Sequence, residues 1–442
     1  MHETEAPVLG TDRASNAATH AKPSIPCFRT NFAWTLAGNV VYAACQWMML
    51  VAMTKVCAPA EVGIFALGLA VTAPVLMLAN LQLRSVQATD ARDSFRFKEY
   101  LALRLFTTGL ALVVILLLAA EPSRSIGVST VIAVIGLSKC FEAMSDVLQG
   151  YLQRHERMTV IARSMMFKGL TSILFLYIAV SIQPTAFAAA SGACFGSALT
   201  LLIYDWPVTS RLRSEHRRSE PERPSEARTR LVVLAWLALP LGVVQGLVSL
   251  SANIPRYYLE RFEGPRDLGI YSALASLIIA GQTVVSALGN VASPRLARLF
   301  SEGKVTEYRK LFLKMMAVGV VLGLAGIGVS VGLGRPLLKL LFRPEYAAYN
   351  DVLVLLMAAG TVAYLAWFAG FGLTAAREFR SQIPLLGTVC LAAWMASDLL
   401  IPRYGVHGAA GALIISMGVQ LMGATIILLR IDRRATEGLH GR

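Results

Sequence analysis

Residues 31–54 read NFAWTLAGNVVYAACQWMMLVAMT, with no charge anywhere from Phe32 to Thr54. A bilayer core about 30 Å thick needs roughly 20 helical residues at about 1.5 Å each, so this run can span it. Working outward, Val62–Leu83, Leu231–Ala252 and Leu268–Val291 are equally free of charge. Further apolar stretches fall near 100–120, 126–148, 158–182, 184–206, 311–334, 348–372, 381–400 and 406–429. Buried core helices of a soluble protein are the alternative, but a soluble chain with so many long apolar runs would precipitate. The pattern predicts an all-α polytopic integral membrane protein with twelve transmembrane helices.

The composition agrees. Hydrophobic residues make up 55% of the chain and charged residues only 15%, and mean hydropathy is +0.58, outside the range of ordinary soluble domains. In a soluble protein the net charge of +14 would point to nucleic acid. Here its distribution points to membrane orientation, and no nucleic-acid partner is expected. Alternate loops carry Arg84, Arg92, Arg96, Lys98, Arg154, Arg157, Arg211–Arg230, Arg295, Arg298, Lys304, Arg309, Lys310, Arg377 and Arg380. The opposite loops hold fewer basic residues, among them Lys55, Arg124, Arg256, Arg261, Arg335 and Arg403. The positive-inside rule then places both termini in the cytoplasm.

The polar residues 1–30 contain no apolar core, so they read as a cytoplasmic tail and the first helix as its own insertion signal. Cys27, Cys45, Cys57, Cys140, Cys194 and Cys390 are scattered without paired spacing, as small packing residues are. Neither they nor the six histidines form a metal-ligand pattern. Residues 207–230, rich in Arg, Glu and Ser, read as a charged cytoplasmic linker, with contact to anionic headgroups as the functional alternative. The linker divides a first six-helix lobe (31–206) from a second (231–430), and a short cytoplasmic tail (431–442) follows.

The halves share a motif. Pro59-Ala60-Glu61-Val62-Gly63-Ile64-Phe65 opens the second helix and Pro265-Arg266-Asp267-Leu268-Gly269-Ile270-Tyr271 the eighth. Proline and a carboxylate suit any helix start, but the following Gly-Ile-aromatic has no such local reason. Parallel repeats of this kind are a transporter architecture, and a path between two pseudo-symmetric bundles is expected.

Membrane-embedded charges are costly unless they face water or a partner. The first half embeds Arg104, Lys139, Glu142, Asp146, Arg163 and Lys168, while the second has only Lys314, Asp351 and Asp398. Lys139, Glu142 and Asp146 lie at i, i+3 and i+7, on one helix face. Two readings stand. Lys139 and Lys168 pair with Glu142 and Asp146 to hold the bundle, with Arg104 and Arg163 snorkelling outward; or Arg104, Lys139, Arg163 and Lys168 line a cavity for an anionic headgroup. Gln46, Asn80, Gln245 and Gln282 are second-tier candidates, for the cavity or for interhelical hydrogen bonds.

Residues Asn31–Arg92 resemble polysaccharide-transport flippases (O-antigen and exopolysaccharide, Wzx-type) of the multidrug/oligosaccharidyl-lipid/polysaccharide (MOP) exporter superfamily. Phe342-Arg343-Pro344-Glu345-Tyr346 and Tyr404-Gly405-Val406-His407-Gly408-Ala409-Ala410 agree more loosely. The resemblance implies transfer of an undecaprenyl-pyrophosphate-linked oligosaccharide from the inner to the outer leaflet by alternating access. It also implies a V-shaped pair of lobes around a cationic cavity, and other polysaccharide biosynthesis proteins as partners. No cofactor is expected; Glu142, Asp146 and Asp398 are candidates for coupling to protons or sodium.

Three other classes compete with this reading. A cation-coupled multidrug exporter of the same superfamily would favour deep carboxylates without nearby lysines. A peptidoglycan-precursor flippase usually has more helices. An enzyme would need a catalytic cluster that the short outer loops do not hold.

Overall fold

The computed structural model describes residues 28–90, 94–122, 124–216, 227–376 and 379–440. Its helices are α1 (Phe28–Val56), α2 (Pro59–Ala79), α3 (Leu83–Thr89), α4 (Phe97–Ala119), α5 (Ile126–Arg154), α6 (Met158–Ile182) and α7 (Ala186–Thr200). A π-helical turn, Leu201–Asp205, runs from α7 into α8 (Trp206–His216). Then come α9 (Ala227–Glu263), α10 (Pro265–Ala275), α11 (Ile278–Ser301), α12 (Val305–Leu341), a 3-10 turn (Pro344–Tyr349), α13 (Asn350–Ala375) and α14 (Phe379–His440).

Ten of these runs are long and apolar enough to cross a membrane, and eleven with the α10–α11 pair, which is bent by 42°. α14 contains a further break. At Gly405 the backbone takes φ +53°, a conformation glycine adopts without steric cost. Leu385 before the break lies against Gly423 after it, whereas a straight helix would hold them roughly 57 Å apart. α14 is therefore two antiparallel arms rather than one straight helix.

Of the expected linker, 207–216 continue as helix and 227–230 begin α9; long Arg and Glu side chains are good helix formers. Residues 217–226, the tail up to residue 27, Arg92 and Arg377 lie outside the described residues.

The bundle has a near face, where α1 begins, and a far face, where α1 ends. α1, α6, α7, α5 and α4 pack in succession, as do α11, α12, α13 and α14. α2 joins the two sets by packing on α5, α9 and α10. The two motif copies meet at this junction on the far face. A Cβ on Gly63 would overlap the Pro265 carbonyl, and one on Gly269 would overlap the Pro59 carbonyl. Reciprocal contacts of this kind are the signature of a local two-fold axis. The shared glycine, which no helix-start rule required, is what lets the two backbones touch.

The same face carries a second reciprocal contact. Lys55 Nζ, at the end of α1, donates to the carbonyls of Phe342 (2.9 Å) and Lys339 (3.3 Å) at the end of α12. Arg343, following α12, donates in return to the carbonyls of Val56 (2.9 Å) and Lys55 (3.3 Å). Each cation satisfies carbonyls left open at the other helix's C-terminus, where the dipole favours positive charge.

Candidate functional site

Two adjoining cavities of about 430 and 420 Å³ run along the bundle axis and share Tyr42, Leu69, Lys139, Glu142 and Arg256. The far compartment reaches Phe65 of α2 and Ser272 of α10, beside the paired glycines. The near compartment reaches Asn80, Arg84, Asp146 and Gln149. Lining the two are four basic side chains (Arg84, Lys139, Lys168, Arg256) and two carboxylates (Glu142, Asp146).

α5 supplies the acidic face that its i, i+3, i+7 spacing predicted. Lys139 Nζ donates to both Glu142 carboxylate oxygens, at 2.9 and 3.0 Å. Asp146 is taken by other partners: Arg104 Nη2 at 2.8 Å and Arg84 Nη1 at 3.6 Å. Arg104 does not snorkel. Its side chain is fully buried, held by Asp146 and by the Asn80 side-chain carbonyl, and it lines neither cavity. Of the first expected reading, the Lys139–Glu142 pair is present, whereas Asp146 pairs with Arg104 and Arg84 rather than with Lys168.

Lys168 is buried on α6, about 15 Å from that helix's near end at 1.5 Å per residue. Its ammonium lies over the Tyr42 ring, 4.7 Å from the centroid. Among the described residues no carboxylate comes within ion-pair distance of it. The ring offsets part of the cost of burying the charge and leaves the ammonium's hydrogen-bond donors open to the cavity.

Sequence reasoning placed Arg256 in a loop. Instead α9 continues through Pro255 to Glu263 and stops at Gly264, whose φ of +83° is the true terminator. Arg256 thus projects from the second half into both compartments, held at Nη1 by Asn253 Oδ1 at 2.8 Å, with a buried Nε lacking any partner. The available signal was the unbroken helix-forming run after Pro255, with no glycine before Gly264. With Glu142 and Asp146 both engaged, Lys168 and Arg256, one from each half, are the cavity cations without a carboxylate partner among the described residues.

Gln46 lines the far compartment and donates to Tyr42 Oη at 2.9 Å. Asn80 lines the near compartment. Arg163 is exposed on α6 with its guanidinium over Trp34, Gln245 is half-buried on α9, and Gln282 and Asp398 are exposed; none of these four lines a cavity described here.

A family model described as polysaccharide biosynthesis protein matches residues 28–300. The chain belongs to that family. It is also 27% identical over 403 residues to the capsular polysaccharide biosynthesis protein CapF of Staphylococcus aureus, covering 91% of this chain and 99% of that one. Among solved structures, an inward-facing multidrug resistance MATE family transporter of the MOP superfamily aligns with a TM-score of 0.64 at 13% identity, covering 92% of this chain and 95% of that one. The Vibrio cholerae MATE transporter VcmN aligns with a TM-score of 0.61 at 13% identity, covering 92% and 96%. A MOP superfamily transporter from Pyrococcus furiosus, described as having a binding pocket of reversed polarity, gives 0.61 at 14% identity, covering 91% and 94%. The fold is that of MOP transporters, as the resemblance of residues 31–92 implied, and the family is one of polysaccharide biosynthesis.

Proposed function

We propose that the protein moves a polyisoprenyl-pyrophosphate-linked oligosaccharide across the bacterial inner membrane by alternating access, for cell-surface polysaccharide assembly. The observation that carries this reading is the cavity between the halves, where Lys168 and Arg256 lack carboxylate partners. A pyrophosphate diester carries two ionised phosphates, and basic side chains in a poorly hydrated site bind such groups strongly. A cationic drug would meet net positive charge, and Glu142 is already bonded through both oxygens to Lys139.

In this reading the near face, with both termini, is cytoplasmic and the far face outer. The headgroup enters from the near side while the lipid tail stays in the bilayer. Release requires the Gly63–Gly269 and Lys55–Arg343 contacts to part.

The test is the sidedness of lipid-linked oligosaccharide in cells lacking the protein, read with a glycan probe that cannot cross the inner membrane. Cytoplasmic accumulation, reversed by the wild type and not by a correctly inserted Lys139→Gln/Lys168→Gln variant, supports the proposal. Unchanged sidedness with no redundant exporter overturns it in favour of drug export.

A further inference from the structure

A second buried charge lies behind the cavity wall. Asp205 closes the π-helical turn after α7 and is 1% exposed. Its Oδ1 accepts from the Ser164 hydroxyl on α6, while its Oδ2 is buried without a hydrogen-bond partner. The Ser145 hydroxyl on α5 faces the same carboxylate from outside regular hydrogen-bond geometry, and the buried Thr209 hydroxyl one turn further on has no partner among the described residues. An ionised carboxylate served by hydroxyls alone, with no cation in contact and inside a membrane-crossing segment, is costly. A proton on Oδ2 removes that charge and lets Oδ2 donate to the Ser145 oxygen.

The π-turn is what puts Asp205 there. One extra residue per turn shifts the register of α8, and the turn and α8 both pack on α5, with Asp205 also reaching Ser164 of α6; single π-turns recur at functional sites. A hydrogen-bonded chain then leads back to the cavity. Ser164 Oγ accepts from Gln149 Nε2 at 3.0 Å, and Gln149 Oε1 accepts from Arg84 Nη1 at 3.1 Å, both residues lining the near compartment. The charged groups facing Asp205 are Lys168 from α6 and Arg84 from α3; Asp146, on α5, lies beyond Arg84.

We propose that Asp205 is a protonation site, holding a proton while an anion occupies the cavity and releasing it when the anion leaves. This rests on the anionic-cargo reading above. An ionised Asp205 and an anionic headgroup compete for the field of Lys168, so protonating one strengthens binding of the other, and the coupling is reciprocal. The step forms one O–H bond at Oδ2 and breaks one in a hydronium ion of the cavity water, and release reverses it. A sodium ion is disfavoured: the two neighbouring cations repel it, and only the Ser145 and Thr209 hydroxyls are uncommitted.

The experiment uses the full chain in lipid nanodiscs with inorganic pyrophosphate as probe. Affinity is measured against pH for wild type and Asp205→Asn, the difference cancelling the probe's own titration, and infrared difference spectra follow the protonated carboxyl band. Wild type should lose up to tenfold in affinity per pH unit more steeply than Asp205→Asn. Pyrophosphate should increase a carboxyl band that Asp205→Asn lacks and Ser145→Ala shifts. Binding with parallel pH profiles and no such band, or a profile set by sodium instead, overturns this inference and leaves the cargo reading standing. Absence of pyrophosphate binding fails the cargo reading instead. The band's titration in the protein alone then decides Asp205: a wild-type band missing from Asp205→Asn supports protonation there, and no such band rejects it.

Discussion

At the far face the two halves offer each other the same things: a glycine-opened helix start against its copy, and a cation on the other's C-terminal carbonyls. At mid-membrane the likeness stops. Lys139, Glu142, Asp146, Lys168 and Asp205 all belong to the first half, and the second answers them with Arg256 and small polar residues such as Ser272 and Ser276. Shape is two-fold at the far face, where the halves meet, and charge is one-sided around the cavities. An anion bridging Lys168 and Arg256 would bind both halves at once, which ties cargo occupancy to their relative position.

The largest effect should come from breaking the first half's buried pair. Asp146→Asn leaves the Arg104 guanidinium with the Asn80 amide as its remaining bonded partner at full burial, a loss of about 3–5 kcal/mol. Replacing both partners with apolar residues, Arg104→Met with Asp146→Leu, should recover most of it. Among the described residues no such buried pair is seen in the second half, and exposed Asp398→Asn should stay within about 0.5 kcal/mol. Unfolding in a fixed detergent measures all three, and a silent Asp146→Asn would mean the one-sided charge carries no structural load.

Much of this asymmetry was legible in the sequence, and the reasons for the rest are physical. A bilayer demands long uncharged runs, so Phe32–Thr54 announces itself. The i, i+3, i+7 spacing on α5 fixes a face whatever packs against it, and the Lys139–Glu142 pair follows from that spacing alone. Which cation reaches Asp146 depends on helix rotation and on how α3 and α4 approach, which spacing does not encode. Arg163 and Gln282 point away from the cavities for the same reason. Arg256 was misplaced because a cavity-lining stretch is as polar as a loop, and Asp205, inside the 184–206 run, went unnoticed because a π-turn shifts register without a composition change. The repeated glycine was visible, but its partner, the other copy of itself, was not.

The far-face contacts make the two-fold side of the comparison testable. Gly63→Ala and Gly269→Ala each force a methyl group onto the opposite backbone, at about 1–3 kcal/mol by the usual range for overpacking. Because the contact is reciprocal, the two losses should agree closely; a clear inequality would break the local symmetry. Lys55→Met and Arg343→Met should each cost less, about 1 kcal/mol, since their bonds are partly exposed. They meet at one junction, Arg343 bonding the Lys55 carbonyl and Lys55 that of Phe342, so the double variant should depart from additivity by about 0.5 kcal/mol or more in a thermal-unfolding series.

The smallest effect contrasts the connections at the near face. In the first half, Asp90 accepts from the backbone N–H of Ser94 and Phe95, both at 3.0 Å, and from the Tyr100 hydroxyl at 3.3 Å. Burial pushes its carboxyl up, but these N–H donors and nearby Arg154 outweigh that and hold it below the usual carboxylate range. The folded value being the lower one, its contribution is complete above the unfolded value of about 4 and fades as pH falls through the folded value. The α11–α12 turn of the second half closes with backbone bonds, Gly303 N–H to Phe300 (3.1 Å) and Lys304 N–H to Leu299 (3.0 Å), beside an exposed Lys304–Glu302 ion pair at 2.8 Å. Protonating Glu302 removes only that surface pair, which contributes little, and leaves the backbone bonds in place. Pepsin, active across this range, should therefore cut near Phe95 and Phe97 increasingly below about pH 4 while sparing the α11–α12 turn, and Asp90→Asn should be cut there already at milder acidity. Equal cleavage of both connections would show that Asp90 does not anchor the first, and that the near face is built alike in the two halves after all.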